Sequence, residues 1–142
     1  MSTITLDQAN TIIAGALKKA SELSLKPLGV VVLDAGGHAI AVQRQDGAST
    51  GRIALATGKA AGALFLGVSS RKLADMVTDR PIFVASLGAI APAGAVPAAG
   101  GIIVTDAGGV TIGAVGISGD LSDQDELCAL AGVAAAGLAA QA

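Results

Sequence analysis

Aromatic and charged side chains are both scarce in this 142-residue sequence. It contains no tryptophan or tyrosine and only two phenylalanines, and charged residues make up 14%, against about 25% in typical soluble domains. Its 20 glycines, together with many alanines, account for a large part of the chain. So little charge is hard to spread over the surface of a monomer. We therefore expect extensive apolar subunit interfaces and a closed homo-oligomer, a tetramer or larger.

Other scarcities exclude classes of partner and of site. The net charge is -2 and the 9 lysines and arginines are scattered, so no basic stripe exists for nucleic acid. Cys128 is the only cysteine, which excludes an intrachain disulfide and a thiolate metal cluster. The N-terminus has neither the basic nor the apolar region of a signal peptide, so we expect a cytoplasmic protein. Proline and glycine interrupt the longest uncharged run, Pro81 to Thr105, which therefore predicts a core strand and a loop and no membrane span.

The length favours one domain, residues 1–142, that can bury a core. A capping box, Thr5-x-x-Gln8, opens a helix predicted from about Leu6 to Leu23. Further helices are predicted at about 51–66 (capped by Ser49 or Thr50), at about 70–77 (capped by Ser69 or Ser70) and at about 123–140 (capped by Ser122). Strands are predicted at 28–33, 38–45, 101–105 and 110–117, with 82–87 a strand or an extended loop and 88–99 a long loop.

The same four residues, Asp-Ala-Gly-Gly, separate two pairs of predicted strands. They occupy positions 34–37 and 106–109, where the glycines are free to take a positive φ. Two hairpins with helices around them predict an α+β fold in which an antiparallel sheet of about five strands is flanked by helices.

Three segments together resemble the GlcG/HbpS family of small haem-binding-like proteins, whose domain also occurs at the C-terminus of PduO proteins. They are VVVLDAGGHAIAVQRQDGA, IALATGKAAGALFLG and AAGGIIVTDAGGVTIGAVGISGDLSDQDE, and the resemblance extends from about Leu28 to Ala135. It implies a profilin- or PAS-like sandwich. It also implies a small-molecule ligand for which haem is the possible cofactor.

Lys59 is the most conspicuous polar side chain of the second predicted helix. It is surrounded by alanine and glycine, so its amine is expected to be partly desolvated, which lowers a lysine pKa and suits a base or an anion binder. Arg52 lies two turns earlier on nearly the same face, and the two cations together could bind a carboxylate. The competing interpretation is that Lys59 reaches solvent or pairs with an acid. In the family that the chain resembles, a lysine recurs in this motif.

Acidic residues gather at the start of the last predicted helix, where the helix dipole favours them. That capping role alone would explain them. The functional alternative needs one acid to face Lys59, and Glu126 is chosen because the triplet Gln124-Asp125-Glu126 matches the family's pattern. Lys59 and Glu126 are then the candidate catalytic pair, doing general acid/base work, and Asp125 is a candidate ligand-binding residue.

His38 and Asp46 complete the candidate ligand-binding residues. His38 is the only histidine and follows the first turn in a segment that matches the family's DAGGH, so it is a candidate haem ligand, metal ligand or proton shuttle. A solvated histidine beside a turn is the plainer interpretation. Asp46 lies in QRQDGA, where the family often has a similar arginine-x-aspartate-glycine, and its plainer role is a turn at Asp46-Gly47.

Three functional classes remain open. The first is a haem or tetrapyrrole binder, in which haem would bind weakly near a surface because few ligands and no aromatic wall are available. The second is a cofactor-free enzyme for a small carbonyl- or carboxylate-bearing metabolite. The third is an oligomeric accessory protein without chemistry. For the first two we expect a pocket where the second helix, the loop 88–99 and the start of the last helix converge.

Overall fold

The computed structural model describes residues 3–141, and these form five helices and five strands. In chain order the elements are α1 (Leu6–Glu22), β1 (Gly29–Asp34), β2 (Ala39–Arg44), α2 (Arg52–Leu66), α3 (Ser70–Asp79), α4 (Pro81–Ile90), β3 (Gly101–Thr105), β4 (Thr111–Ser118), α5 (Ser122–Ala135) and β5 (Ala139–Gln141).

The strands form one five-stranded sheet in the order β2-β1-β4-β3-β5, and all of its pairs are antiparallel. The predicted α+β fold with a sheet flanked by helices is therefore confirmed. Successive side chains of β1 point to opposite faces of the sheet and so reach two different hydrophobic cores. Val30 and Val32 face the layer of α1 and α5, whereas Val31 faces α2.

Glycine allows the helices to approach their neighbours closely. A Cβ at Gly116 of β4 would collide with the Ala56 carbonyl of α2, so this helix lies almost directly on the strand. Gly132 of α5 likewise packs against the Ile12 carbonyl of α1. Gly132 therefore serves close packing within the chain.

Both Asp-Ala-Gly-Gly turns have the predicted geometry. Asp34 Oδ1 accepts hydrogen bonds from the backbone N–H groups of Gly36 and His38 at 3.0 and 2.9 Å. The second glycine of the first turn, Gly37, has φ 86°, where a side chain would be strained. Asp106 Oδ1 accepts the equivalent pair of bonds in the second hairpin, at 2.9 and 3.0 Å.

The prediction of a strand or extended loop at 82–87 is wrong, because this segment lies in α4. Pro81 occupies the first turn, where its fixed φ suits a helix and its missing N–H removes no helical bond. Val84 and Leu87, three residues apart, then pack together on Leu73 of α3. Helical packing thus outweighs the strand preference of an isoleucine-phenylalanine-valine run. The loop predicted from Gly88 consequently begins only at Ala91.

The last helix ends five residues earlier than predicted, at Ala135, and Ala139–Gln141 is strand β5. Gly137, with φ 70°, ends it in the left-handed conformation typical of a helix C-terminus. Residue 142 lies outside the described residues. Two predicted caps are also wrong: no side chain caps α2, whose N-cap is Gly51, and Leu121 occupies the N-cap of α5. Ser69 does cap α3, and the Thr5–Gln8 capping box of α1 is confirmed.

Within residues 3–141, no helix by itself has both the length and the apolar composition to cross a membrane. The bent pair of α2 and α3, at 75° to each other, passes that test together by length and composition alone.

Candidate functional site

A cleft of about 520 Å³ opens at the end of the sheet where the first hairpin turns. Three walls surround it: the turn between β1 and β2, the C-terminal half of α2, and the segment that follows α4. The side chains and backbone that line it are those of Ala35, Gly36, Gly37, His38, Ala61, Leu64, Phe65, Ala91, Pro92, Ala93 and Gly94. The cleft is therefore mainly apolar, with one titratable side chain.

His38 is held at the cleft by its own turn. Its backbone N–H donates to Asp34 Oδ1 at 2.9 Å, and its backbone carbonyl accepts from the Asp34 N–H at 2.8 Å. The imidazole is exposed and lies near Gly36, and no hydrogen bond or ion pair engages either ring nitrogen within residues 3–141. The backbone is thus fixed while the ring nitrogens remain available to a ligand.

Phe65 supplies the large apolar surface of the cleft, because its side chain is 44% exposed. It lies in the last turn of α2, immediately before the helix ends at Gly67 in a left-handed conformation. Phe65 is not among the site residues predicted from the sequence. A signal was available: Leu64 and Phe65 are three and four residues after Ala61, so all three lie on adjoining parts of one helix surface.

Lys59 forms a buried ion pair with Asp125, and the two side chains are 5% and 1% exposed. The Nζ atom donates to Asp125 Oδ2 at 3.2 Å and to the Ile117 carbonyl at 2.9 Å. The other carboxylate oxygen of Asp125 accepts from the Asp120 N–H at 3.0 Å. These contacts join α2, the end of β4 and the first turn of α5. Among the described residues, no buried side-chain polar atom is left without a partner.

Burial shifts the pKa of both partners toward the neutral form. Desolvation lowers the pKa of Lys59, against the opposing effect of Asp125, and the nearby Arg52 charge lowers it further. Desolvation likewise raises the pKa of Asp125, although the Asp120 N–H and the Lys59 charge oppose that shift. The charged pair is therefore held in place at an electrostatic cost.

The expectation that Glu126 faces Lys59 is wrong. Glu126 binds Arg71 of α3, whose Nε lies 3.0 Å from each carboxylate oxygen, and Arg71 Nη2 lies 2.6 Å from Asp123 Oδ1. Helix geometry explains why Asp125 and not Glu126 meets Lys59. Asp125 lies three residues before the buried Cys128 and shares its face, whereas Glu126 is rotated by about 100°.

Arg52 and Asp46 lie away from the cleft. Arg52 is half-buried at the start of α2, where its Nη1 donates to Ser118 Oγ at 3.2 Å. Asp46 lies with Arg44, Gln45, Leu25 and Pro27 around a second, open groove of about 480 Å³. His38 and Asp46 are thus candidate residues of separate surfaces.

The predicted convergence is found only in part. Helix α2 and the segment after α4 do share a cleft, but the third wall is the β1–β2 turn and not the start of α5. Residues 3–141 contain no group of three histidine, cysteine or acidic side chains arranged to hold a metal ion.

The family model described as haem degrading protein HbpS-like matches residues 4–134 of this sequence. The chain belongs to this family. No curated protein matches it.

Several solved structures share the fold over nearly the whole chain. HbpS is 29% identical, with a TM-score of 0.81 and coverage of 94% of this chain and 90% of HbpS. Klebsiella pneumoniae protein ORFY is 28% identical, with a TM-score of 0.85 over 96% and 92% of the two chains. A PduOC:haem complex has a TM-score of 0.87 over 99% and 100%; at 24% identity, that likeness shows the fold alone.

Proposed function

We propose that this HbpS-like chain binds haem, or a related flat apolar ligand, in the cleft beside His38. One observation carries the proposal. The only histidine of the chain lies at an apolar cleft, with its backbone fixed by Asp34 and its ring nitrogens free of hydrogen bonds within residues 3–141. A histidine side chain with a free ring nitrogen is a common axial ligand of haem iron.

The remaining walls suit a flat apolar molecule. Leu64, Phe65 and Pro92 all line the cleft and would contact its apolar surface, since apolar clefts with a few polar groups are typical ligand sites. Bound haem would supply an iron with a further coordination position. Membership of the HbpS-like family and the fold shared with a PduOC:haem complex support this choice of ligand. We expect weak binding, because the cleft is open and has one conventional ligand.

Haem titration of the purified protein, followed by the Soret band, tests the proposal. We expect a saturable shifted band in the wild type and a weakened or displaced band in His38→Ala. The absence of a saturable band in the wild type would contradict the proposal.

The second hairpin provides a matched control. Val110 occupies the position of His38 after an equivalent turn and is likewise exposed. The double variant His38→Ala/Val110→His therefore presents a histidine on the same turn geometry without the first cleft. We expect it to behave like His38→Ala. Full recovery of the Soret band would mean that any histidine after such a turn binds haem, and the cleft would have no role.

A cofactor-free enzyme centred on Lys59 is the weaker alternative. A substrate would have to displace Asp125 or the Ile117 carbonyl from an amine that is 5% exposed. The candidate acid Glu126 is meanwhile engaged by Arg71. These contacts favour a structural role for Lys59.

We also propose self-association, for which the exposed apolar surface of α4 is the structural argument. Helix α4 carries no charge, and its Ile82 and Ile90 are 85% and 64% exposed. Such a surface favours contact with another copy of the chain. Light scattering should show a tetramer or larger species at micromolar concentration, and a stable monomer would refute this expectation. A single domain over residues 1–142 and a cytoplasmic location stay predictions.

A further inference from the structure

The segment Pro92–Ala99, called the strap below, runs from the cleft across the outer face of α2. Its first residues, Pro92 to Gly94, form one wall of the cleft. Within residues 3–141, one backbone hydrogen bond ties it to α2, from the Val96 N–H to the Gly58 carbonyl at 3.2 Å. The strap is neither helix nor strand, so its position depends on how its side chains and backbone fit the helix beneath.

Two glycines of α2 make that fit possible. A Cβ added at Gly62 would lie 2.8 Å from the Cα of Ala95, and one added at Gly58 would lie 2.6 Å from Val96 Cγ2. Both distances are far shorter than an ordinary carbon contact. Glycine also weakens a helix interior relative to alanine. The helix therefore carries two residues that disfavour it, each at a place where the strap touches it.

We propose that Gly58 and Gly62 are positioning residues for the ligand of the cleft: they seat the strap on α2, and the seated strap sets the cleft wall at Pro92–Gly94. The inference rests on the proposed function for the identity of the ligand, but the seating itself does not. Because such coupling is reciprocal, a ligand held against this wall stabilises the seated strap, and displacement of the strap weakens the binding of the ligand.

Gly62→Ala is the decisive variant because the atom in its way is backbone. Alanine stabilises an isolated helix here, so a loss of binding could not come from a weaker α2. We expect faster hydrogen exchange of the Val96 amide in the ligand-free protein. We also expect haem affinity to fall by about tenfold, the order of a lost apolar contact. Gly88→Ala in α4 is the matched control, since a Cβ there meets nothing within 4 Å.

A compensating pair separates seating from general damage. At Gly58 the obstruction is one methyl group, and the next atom, Val96 Cβ, lies at 3.6 Å. Gly58→Ala should therefore disturb the Val96 amide and the Soret band, and Gly58→Ala/Val96→Ala should restore both. Gly62→Ala should not be restored by Ala95→Gly, because the Cα of residue 95 remains.

The possible results test the proposed function and the seating of the strap separately. If wild-type protein gives no haem-dependent Soret band, the proposed function fails, and exchange at Val96 still judges the seating. If Gly62→Ala leaves Val96 exchange at the wild-type rate, the seating is wrong. If exchange accelerates while haem affinity is unchanged, the strap is seated by these glycines but does not set the binding wall, and the inference is overturned.

Discussion

Two sets of ion pairs join the first turn of α5 to the rest of the molecule, and they differ mainly in burial. In one, Asp125 meets Lys59 of α2 out of contact with water. In the other, Arg71 of α3 meets Asp123 and Glu126; the Arg71 side chain is 43% exposed, Asp123 is 76% exposed and Glu126 is 12% exposed, so water reaches the cation of this cluster. Shorter distances belong to the exposed cluster, yet solvent and side-chain entropy cancel most of their effect.

The comparison shows that adjacent carboxylates on one helix can have opposite roles. Asp125 compensates a cation that has no access to water, so its removal leaves a buried charge. Glu126 holds a cation that water would solvate in its absence. Distance between charges is therefore a poor guide to their importance, and burial is a better one.

Asp125→Asn and Glu126→Gln form the sharpest test of this difference. We expect Asp125→Asn to lower the free energy of unfolding by about 3 kcal/mol or more, because Lys59 loses its counterion. Glu126→Gln should lower it by no more than about 1 kcal/mol. Urea denaturation of both variants measures the two effects. Equal losses would remove the distinction between the clusters.

Replacing the whole buried pair by apolar side chains should undo most of that loss. Lys59→Met alone leaves Asp125 unpaired and should be strongly destabilising, whereas Lys59→Met/Asp125→Leu removes both desolvated charges and should come within about 2 kcal/mol of the wild type. Thermal and urea unfolding of the single and double variants give the coupling free energy. A double variant as unstable as the sum of the two single variants would mean that the two charges have no coupling free energy, and the account of the buried pair would be wrong.

The pH dependence of stability provides a third test, with a definite sign. The pKa of Asp125 is raised, so between about 3.9 and the raised value only the folded state holds that proton, and stability falls as pH rises. The pKa of Lys59 is lowered, so between the lowered value and about 10.4 only the unfolded state holds that proton, and stability rises with pH.

We therefore compare the free energy of unfolding of the wild type with that of Lys59→Met/Asp125→Leu across pH. The wild type should be least stable relative to the double variant at intermediate pH, and its relative stability should rise at both lower and higher pH. The pKa of the Cys128 thiol is raised to about 11 by burial and by the Asp125 charge, and the double variant removes the second cause, so the comparison is made below the usual pKa of a thiol. A difference that does not vary with pH would mean that neither group titrates abnormally.

Arg71→Ala should have the smallest effect. The Arg71 side chain binds two carboxylates but is 43% exposed, so solvent screens its charge and we expect a loss of about 1 kcal/mol that shrinks further in high salt. Chemical denaturation at low and high ionic strength measures it. A larger loss, unchanged by salt, would place this exposed cluster in the same class as the buried one.

Local chemistry made much of the fold predictable. Thr5 and Gln8 mark the start of α1, and two Asp-Ala-Gly-Gly turns mark the hairpins, because these residues satisfy backbone groups or tolerate a positive φ wherever they occur. Helix α4 escaped prediction since its identity depends on Val84 and Leu87 packing on Leu73 of the preceding helix, and that contact forms only when the two helices fold against each other. The end of α5 was available from Gly137, whose position after an alanine-rich run is a usual helix stop.

The candidate site divides in the same way. The sequence by itself determined that Lys59 lies among small residues on a helix and that His38 follows a rigid turn, because spacing and turn chemistry are local properties. Only the tertiary structure decided that Asp125 takes the lysine, that Glu126 turns to Arg71, and that Phe65 and the strap complete a cleft at His38. Those outcomes depend on which helix face meets the sheet and on which backbone covers α2, and both are settled by packing between segments that are distant in the chain.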